Sequence, residues 1–327
     1  MQLPRKIEIH EEGPREGFQF DKRAFALENR AALVEALADT GLHQIQVASF
    51  VHPQLVPQMA DAEQLFALLR RRPGVRYTGL WLNERGFERA RKAENIDLIG
   101  SLGFYASNAF CRQNNNCEAD AMRDAQRGWI SRYREAGVPL ETAHIMTAFG
   151  CNLEGAVPPE RVVAIARWLK AVCNSEGVDI PALYLCDTVG WANPLAIERV
   201  VGEVRDAVPG VRIGLHLHDT RGSGAANFLA GLQNGVDLYD SSVGGLGGCP
   251  FCGHTSNAAG NVCTEDMVFM CHEMGIETGI DLDKLIAAAQ LAERIFGQTL
   301  TGHVMHAGSL GRFRSSPRAA GEALAAR

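Results

Sequence analysis

Long apolar runs are missing from this sequence. Its first residues, MQLPRKIEIHEEG, hold no signal-like segment, and no window approaches an uninterrupted membrane span. An excess of one charge is missing too. The 32 basic and 38 acidic residues leave a formal net charge of −6 and a pI near 5.9. That balance argues against non-specific binding to nucleic acid or to an anionic membrane. The most basic run, Arg70-Arg71-Arg72, ends a helical pattern just before Pro73, where positive charge complements the helix dipole. Nine cysteines, odd in number and irregular in spacing, make no disulfide framework. A reducing, cytoplasmic setting follows, with most thiols acting as small buried apolar groups. The C-x-x-C at Cys249 and Cys252 has no second pair at zinc-ribbon spacing, so a structural zinc is not expected. A G-x-G-x-x-G turn is also absent after the first strand candidate, where the chain reads GPREGF. An open nucleotide-binding sheet usually needs that turn.

What the sequence does contain is alternation. At 327 residues, 46% apolar and 21% charged, it has ample material for a core. Strand-like runs fall at 6–11, 43–49, 75–82, 96–103, 140–147, 182–187, 211–218 and 236–242. Helical patterns lie between them, at 22–39, 60–72, 120–136, 159–173, 194–208 and 224–234. Eight such units without a break in composition predict a parallel sheet, and their combined length matches a closed (β/α)8 TIM barrel. A further amphipathic helix at 281–296 follows the barrel. Residues 1–312 are therefore expected to form one catalytic domain, and 313–327, Ala-rich and polar, a flexible tail.

In a barrel the reactive groups gather where the strands end. Polar residues and glycines cluster after nearly every strand candidate, from Glu12-Gly-Pro-Arg-Glu-Gly-Phe-Gln19 to Gly244-Gly-Leu-Gly-Gly-Cys249. The segment GLHLHDTRG is the sharpest of these. His216 and His218 are two residues apart on a strand, so both project to one face, about 7 Å apart at the backbone. Two imidazoles in register at a strand end point to a shared cation. Glu16 and Asn261 are the oxygen donors available to complete the site, and on spacing alone each is as readily a solvated loop residue. A carboxylate, a carboxamide, two imidazoles and water suit Mg²⁺ or Mn²⁺, with Zn²⁺, Co²⁺ and Fe²⁺ as further options.

These segments resemble the hydroxymethylglutaryl-CoA lyase family of metal-dependent barrel lyases and synthases, from about residue 7 to residue 285. GPREGFQ is similar to the family's GPRDGLQ, SFVHPQLVPQM to SFVSPKWVPQM, LCDTVG to LGDTIG and HLHDTRG to HCHDTYG. YDSSVGGLGGCPF and AGNVCTEDMVFM resemble VDSSVAGLGGCPY and SGNLATEDLVYM. The resemblance implies that His216, His218 and Asn261 are metal ligands, with Glu16 where the family has aspartate. Arg15 would neutralise a substrate or enolate oxygen, Cys249 would serve as the acid/base group on a glycine-rich loop, and Asp187 would assist proton removal. Gln19, Gln46 and Thr188 are expected to line the substrate. The implied reaction is retro-Claisen cleavage of 3-hydroxy-3-methylglutaryl-CoA or a related acyl-CoA. A citramalyl-CoA-type lyase, a condensing enzyme acting on a 2-oxo acid and a non-catalytic binding paralogue are the alternatives. A homodimer using the post-barrel helix is the assembly suggested by fold-level analogy.

Three positions depart from the family pattern. Glu16 is one methylene longer than the family's aspartate. Gln46 stands where a segment resembling IEATSF carries a glutamate, and an amide can neither act as a base nor carry charge. Glu16 is one candidate to supply that missing role. The family's C-terminal cysteine has no counterpart in GHVMHAGSLGRF.

Overall fold

Eight short parallel strands carry the architecture in the computed structural model, which describes residues 3–248 and 258–315. They are β1 (Glu8–Glu11), β2 (Gln44–Ser49), β3 (Arg76–Leu80), β4 (Gly100–Tyr105), β5 (Leu140–Met146), β6 (Ala182–Cys186), β7 (Ile213–His216) and β8 (Leu238–Ser241). Their order is β3-β2-β1-β8-β7-β6-β5-β4, so the last strand pairs with the first and the sheet curls into a TIM-barrel-like wall. The expected barrel is borne out with one difference. No strand pairing joins β3 to β4 among the described residues, and the wall has a seam there.

The seam has a local cause. The fourth strand begins at Gly100 rather than at residue 96, because the segment before it is held by side-chain bonds of Asn95 and Asp97 instead of a strand ladder. Asn95, at φ 57°, donates from its amide to the carbonyls of Phe66 and Leu69. Asp97 then binds Tyr77 twice, its N–H donating to the Tyr77 carbonyl at 2.7 Å and its carboxylate accepting the Tyr77 N–H at 2.8 Å.

The helices are α1 (Gly13–Phe20), α2 (Leu27–Ala38), α3 (Ala62–Leu68), α4 (Glu84–Ala90), α5 (Asn108–Asn115) and α6 (Ala119–Ala136). After them come α7 (Pro159–Glu176), α8 (Pro194–Ala207), α9 (Gly224–Gln233), α10 (Thr264–Glu273) and α11 (Leu282–Phe296). Helix α1 occupies what reads in the sequence as a strand-exit loop. Its Pro14 falls in the first turn, where no N–H is required. Burial of Phe18 against Phe25 and Phe296, with ring centroids 5.0 and 4.9 Å away, then outweighs the poor propensity of Gly17. Helix α2 starts at Leu27 instead of residue 22 because the chain must first leave α1. Helix α11 buries Leu285, Ala288, Ala289, Ala292 and Phe296, with α2 among its neighbours, so much of its apolar stripe is used within the chain. Residues 313–315, expected in a mobile tail, belong to a short helix whose Arg314 pairs with Glu273 at 2.6 Å. The rest of that tail lies outside the described residues.

Apolar side chains fill the layer between strands and helices. Inside the wall the residues are polar instead. His10 donates to Glu8 at 2.9 Å and accepts from Gln44 and Tyr184 at 3.1 and 3.0 Å, which fixes its tautomer. Buried polar groups cost little when paired in this way. Above this floor a cavity of about 360 Å³ opens toward the strand ends.

Candidate active site

Four residues at i, i+3, i+4 and i+7 project from the start of α1 into that cavity: Glu12, Arg15, Glu16 and Gln19. The spacing alone puts them on one helical face, and β1 delivers it to the mouth. Arg15 is the hub. Its guanidinium meets the Gln46 side-chain oxygen, the Glu12 carboxylate, and Glu16 Oε1 at 2.9 Å. Gln46 Nε2 donates to Glu12 Oε1 at 3.1 Å, and Gln19 accepts from the Ser49 hydroxyl at 2.7 Å. Burial raises the Glu12 carboxyl above the ordinary range, although Arg15 opposes it. Burial also acts on Glu16, but there Arg15 and both histidines prevail and hold it low.

The opposite wall is set by strand register. His216 ends β7 and lies directly beside Asp240 of β8. The Nδ1–H donates to Asp240 Oδ1 at 2.6 Å, which turns Nε2 inward to the mouth. His218 continues along the same face, and the two Nε2 atoms are 3.0 Å apart. Burial would lower the His216 pKa, yet the adjacent Asp240 carries it up to about 10. His144, buried in the same lumen and stacked on Tyr184, falls to about 4 because burial dominates there.

Asn261 is brought to the histidines by backbone pairing. Residues His218 and Asn261 form an antiparallel bridge, reinforced by Val262 N–H donating to the Leu217 carbonyl at 3.1 Å. The Asn261 amide nitrogen donates to Leu246 O at 3.0 Å and to Glu16, which leaves Oδ1 as the atom available to an ion. The glycine-rich segment packs onto this pair. A Cβ on Gly247, at φ 86°, would stand 2.5 Å from Glu16 Cβ and 3.0 Å from Asn261 Nδ2, so only glycine fits.

The structure thus brings Arg15, Glu16, Gln46, His216, His218 and Asn261 into one mouth, with Gln19 and Thr188 on the cavity lining. Thr188 Oγ1 also accepts from Thr147 N at 2.8 Å. Asp187 is placed differently. Its Oδ1 accepts from the N–H groups of Trp191 and Ala192 at 2.6 and 3.0 Å, organising the turn after β6, while its buried Oδ2 has no partner among the described residues. Cys249 lies outside the described residues.

Three acids that matter are not singled out by sequence reasoning. Glu12 and Asp240 join His216 as a cluster able to hold a metal ion, their ligand atoms within 4.8 Å of one another. Asp240 is already committed to the outer nitrogen of His216, which makes it the orienting partner of a ligand. Glu11 points outward from the pleat. It accepts from Gly13 N, Val243 N and the Thr264 hydroxyl at 2.7, 2.9 and 2.6 Å, pinning α1 to the glycine-rich segment. Period-2 counting from Ile7 and Ile9 would place Glu12 on the inner face with His10. Imidazoles, carboxylates and a carboxamide oxygen are the hard-leaning donors that suit a divalent cation.

Known proteins resemble this chain in sequence and in fold. The HMGL-like family model matches residues 6–292. A cytoplasmic 3-hydroxy-3-methylglutaryl-CoA lyase of Mus musculus is 34% identical, over 93% of this chain and 85% of its own. The crystal structure of hydroxymethylglutaryl-CoA lyase from Pseudomonas aeruginosa superposes with a TM-score of 0.85 at 34% identity, covering 94% of this chain and 98% of that one. An HMG-CoA lyase from Acinetobacter baumannii, solved with coenzyme A and 3-methylmalate, gives 0.84 at 29% identity, covering 95% and 98%. On the span of the model match and the identity to these relatives, the chain belongs to the HMGL-like family.

Proposed function

We propose that this protein is a divalent-metal-dependent carbon–carbon lyase that cleaves 3-hydroxy-3-methylglutaryl-CoA, or a close 3-hydroxy-3-alkyl relative, to acetyl-CoA and a 3-keto acid. The observation that carries the reading is the convergence of Arg15, Glu16, Asn261 and the paired Nε2 atoms of His216 and His218 at the mouth of the barrel. The relatives' names and the coenzyme A in a solved neighbour support an acyl-CoA substrate.

Breaking the C2–C3 bond needs the tertiary hydroxyl proton removed and the developing enolate stabilised. Arg15 supplies a fixed positive charge at a largely buried position, where it acts on developing negative charge more strongly than it would in water. A divalent cation, Mg²⁺ or Mn²⁺ by the hardness of the donors, would be held by Glu16, His216, His218 and Asn261 and would lower the cost of the alkoxide. Gln19, Gln46 and Thr188 shape the wall around the acyl group. Cys249 follows directly on a segment whose Gly244, Gly245, Gly247 and Gly248 all adopt positive φ, and is the group we assign to protonate the enolate carbon. Asp187 holds the turn beneath Thr188. The free thiols among the described cysteines agree with a reducing, cytoplasmic setting, and no helix among the described residues is long and apolar enough to cross a membrane.

The test is direct. Purified protein with hydroxymethylglutaryl-CoA and Mg²⁺ or Mn²⁺ should release acetoacetate and acetyl-CoA in equal amounts. Absence of cleavage with these metals and with Zn²⁺, Co²⁺ and Fe²⁺ overturns the reading.

A further inference from the structure

The family pattern at position 46 calls for a glutamate, and this chain has glutamine. Glu16 is assigned above to the cation rather than to this role, and its two oxygens face Arg15 and the Asn261 amide, away from position 46. A different carboxylate reaches position 46. Glu12 Oε1 accepts from Gln46 Nε2 at 3.1 Å, Glu12 Oε2 meets Arg15, and Arg15 Nε closes the ring on Gln46 Oε1. Glu12 lines the cavity, and one of its oxygens lies within 4.8 Å of ligand atoms of His216 and Asp240 across the mouth.

From this ring of contacts we propose that Glu12 is the carboxylate that takes the substrate's hydroxyl proton, a function moved from strand 2 to the end of strand 1. The inference rests on the lyase reading above. Gln46 is the other half of the exchange. Carboxylates at both positions would lie in contact, and such a pair keeps one member protonated. The amide removes that conflict, donating to Glu12 and accepting from Arg15, so the guanidinium keeps two carboxylates and one neutral partner.

The step balances. The hydroxyl O–H bond breaks to Glu12, the oxygen forms the ketone, and the C2–C3 electron pair moves to the thioester α-carbon. A proton from Cys249 then completes acetyl-CoA. The proton on Glu12 returns to the thiolate through solvent, so no proton or electron is left over.

Four proteins test the exchange: wild type, Glu12→Gln, Gln46→Glu and the double variant. Glu12→Gln should lower kcat by roughly 10²- to 10⁴-fold, the usual worth of a general base, with KM little changed. The double variant, with its carboxylate back on strand 2, should recover to within about tenfold of wild type, a loss well below that of removing the base. A Glu12→Gln protein that keeps most of its kcat, or a folded double variant no faster than Glu12→Gln, overturns the proposal. Mn²⁺ titration separates a base from a ligand. Glu12→Gln should bind Mn²⁺ nearly as wild type does, and a loss of the 10- to 100-fold seen when ligand support is removed would make Glu12 part of the metal shell instead. Thermal unfolding needs no substrate. Glu12→Gln should lower Tm by leaving the largely buried Arg15 with one carboxylate, Glu16, instead of two, and the double variant should restore it. If wild type cleaves nothing, the lyase reading fails, while the Tm cycle still decides whether positions 12 and 46 exchange one carboxylate. Failure of the double variant to recover Tm overturns the exchange.

Discussion

The two walls of the barrel mouth hold their charged groups by different means. On the β7–β8 side the backbone does the placing. His216 sits beside Asp240 because their strands pair in register, and His218 meets Asn261 through a backbone bridge. On the β1–β2 side the placing is done by side chains. Glu12, Arg15, Glu16 and Gln46 hold one another, on the first turn of a helix and on a strand whose register shifts just after Gln46. A register-fixed wall cannot change a residue without losing its geometry. A wall of mutually bonded side chains can exchange partners while its backbone stays still, and that is where the chain differs from the motifs it resembles, at Glu16 and Gln46.

The largest effect should come from the register-fixed wall. His216→Ala removes one inward lone pair and strands Asp240 without its donor. Loss of a ligand that supports several kcal/mol of transition-state charge stabilisation corresponds to a fall in kcat on the order of 10³-fold or more. Steady-state kinetics and Mn²⁺ titration should fall together. A metal affinity that survives intact would move the centre to the Glu12 side and reverse the contrast between the walls.

Asp240→Asn is a gentler cut at the same wall. It keeps the acceptor for His216 Nδ1–H and removes the charge, so Mn²⁺ affinity should drop by roughly 10- to 100-fold, as when an outer-shell partner is lost. Imidazole titration by NMR in the metal-free protein gives a second reading. Burial lowers a histidine and the neighbouring carboxylate raises it, and with Asp240 present His216 stands near 10. Without that charge its midpoint should move down toward that of His144, about 4, where burial dominates. An unmoved midpoint would mean that Glu16 and Glu12 alone hold the imidazolium.

The same contrast decides which features are legible in the amino-acid sequence. Strand register shows there as alternation, so the eight strands, the parallel barrel and the inward pair at His216 and His218 follow from period-2 patterns. Helix α1 does not follow, because Gly13, Pro14 and Gly17 read as a loop and only the burial of Phe18 makes them helical. The seam at β3 and β4 does not follow either, since it depends on where Asn95 and Asp97 spend their hydrogen bonds. Arg15 and Glu16 are legible through motif likeness alone. Glu12 is legible in principle from its face, shared with His10. Its bond to Gln46 is not, because a contact between two side chains on neighbouring strands leaves no periodic trace.

The smallest expected effect concerns the segment that lies between the walls. Gly244 to Gly248 leans on Glu16 from one side and on Asn261 from the other, and its first N–H donates to Glu265 of α10 at 3.0 Å. Glu265 is fully buried, and burial lifts its carboxyl from 4.5 to about 8 despite that hydrogen bond. An acid raised in the folded state holds a proton there that the unfolded chain has already lost. Native protein therefore binds more protons between about pH 4.5 and 8, and stability falls as pH rises through that window. Glu265→Gln keeps an oxygen for Gly244 and cannot ionise. Its Tm should decline less from pH 5 to pH 8 than that of wild type and exceed it at pH 8, with cleavage rates nearly unchanged. Glu11, raised to about 7 by burial, remains in both proteins, so some slope persists. Equal slopes in the two proteins would mean that Glu265 is charged in the native state, and the segment between the walls would then be anchored by an ion rather than by a neutral acid.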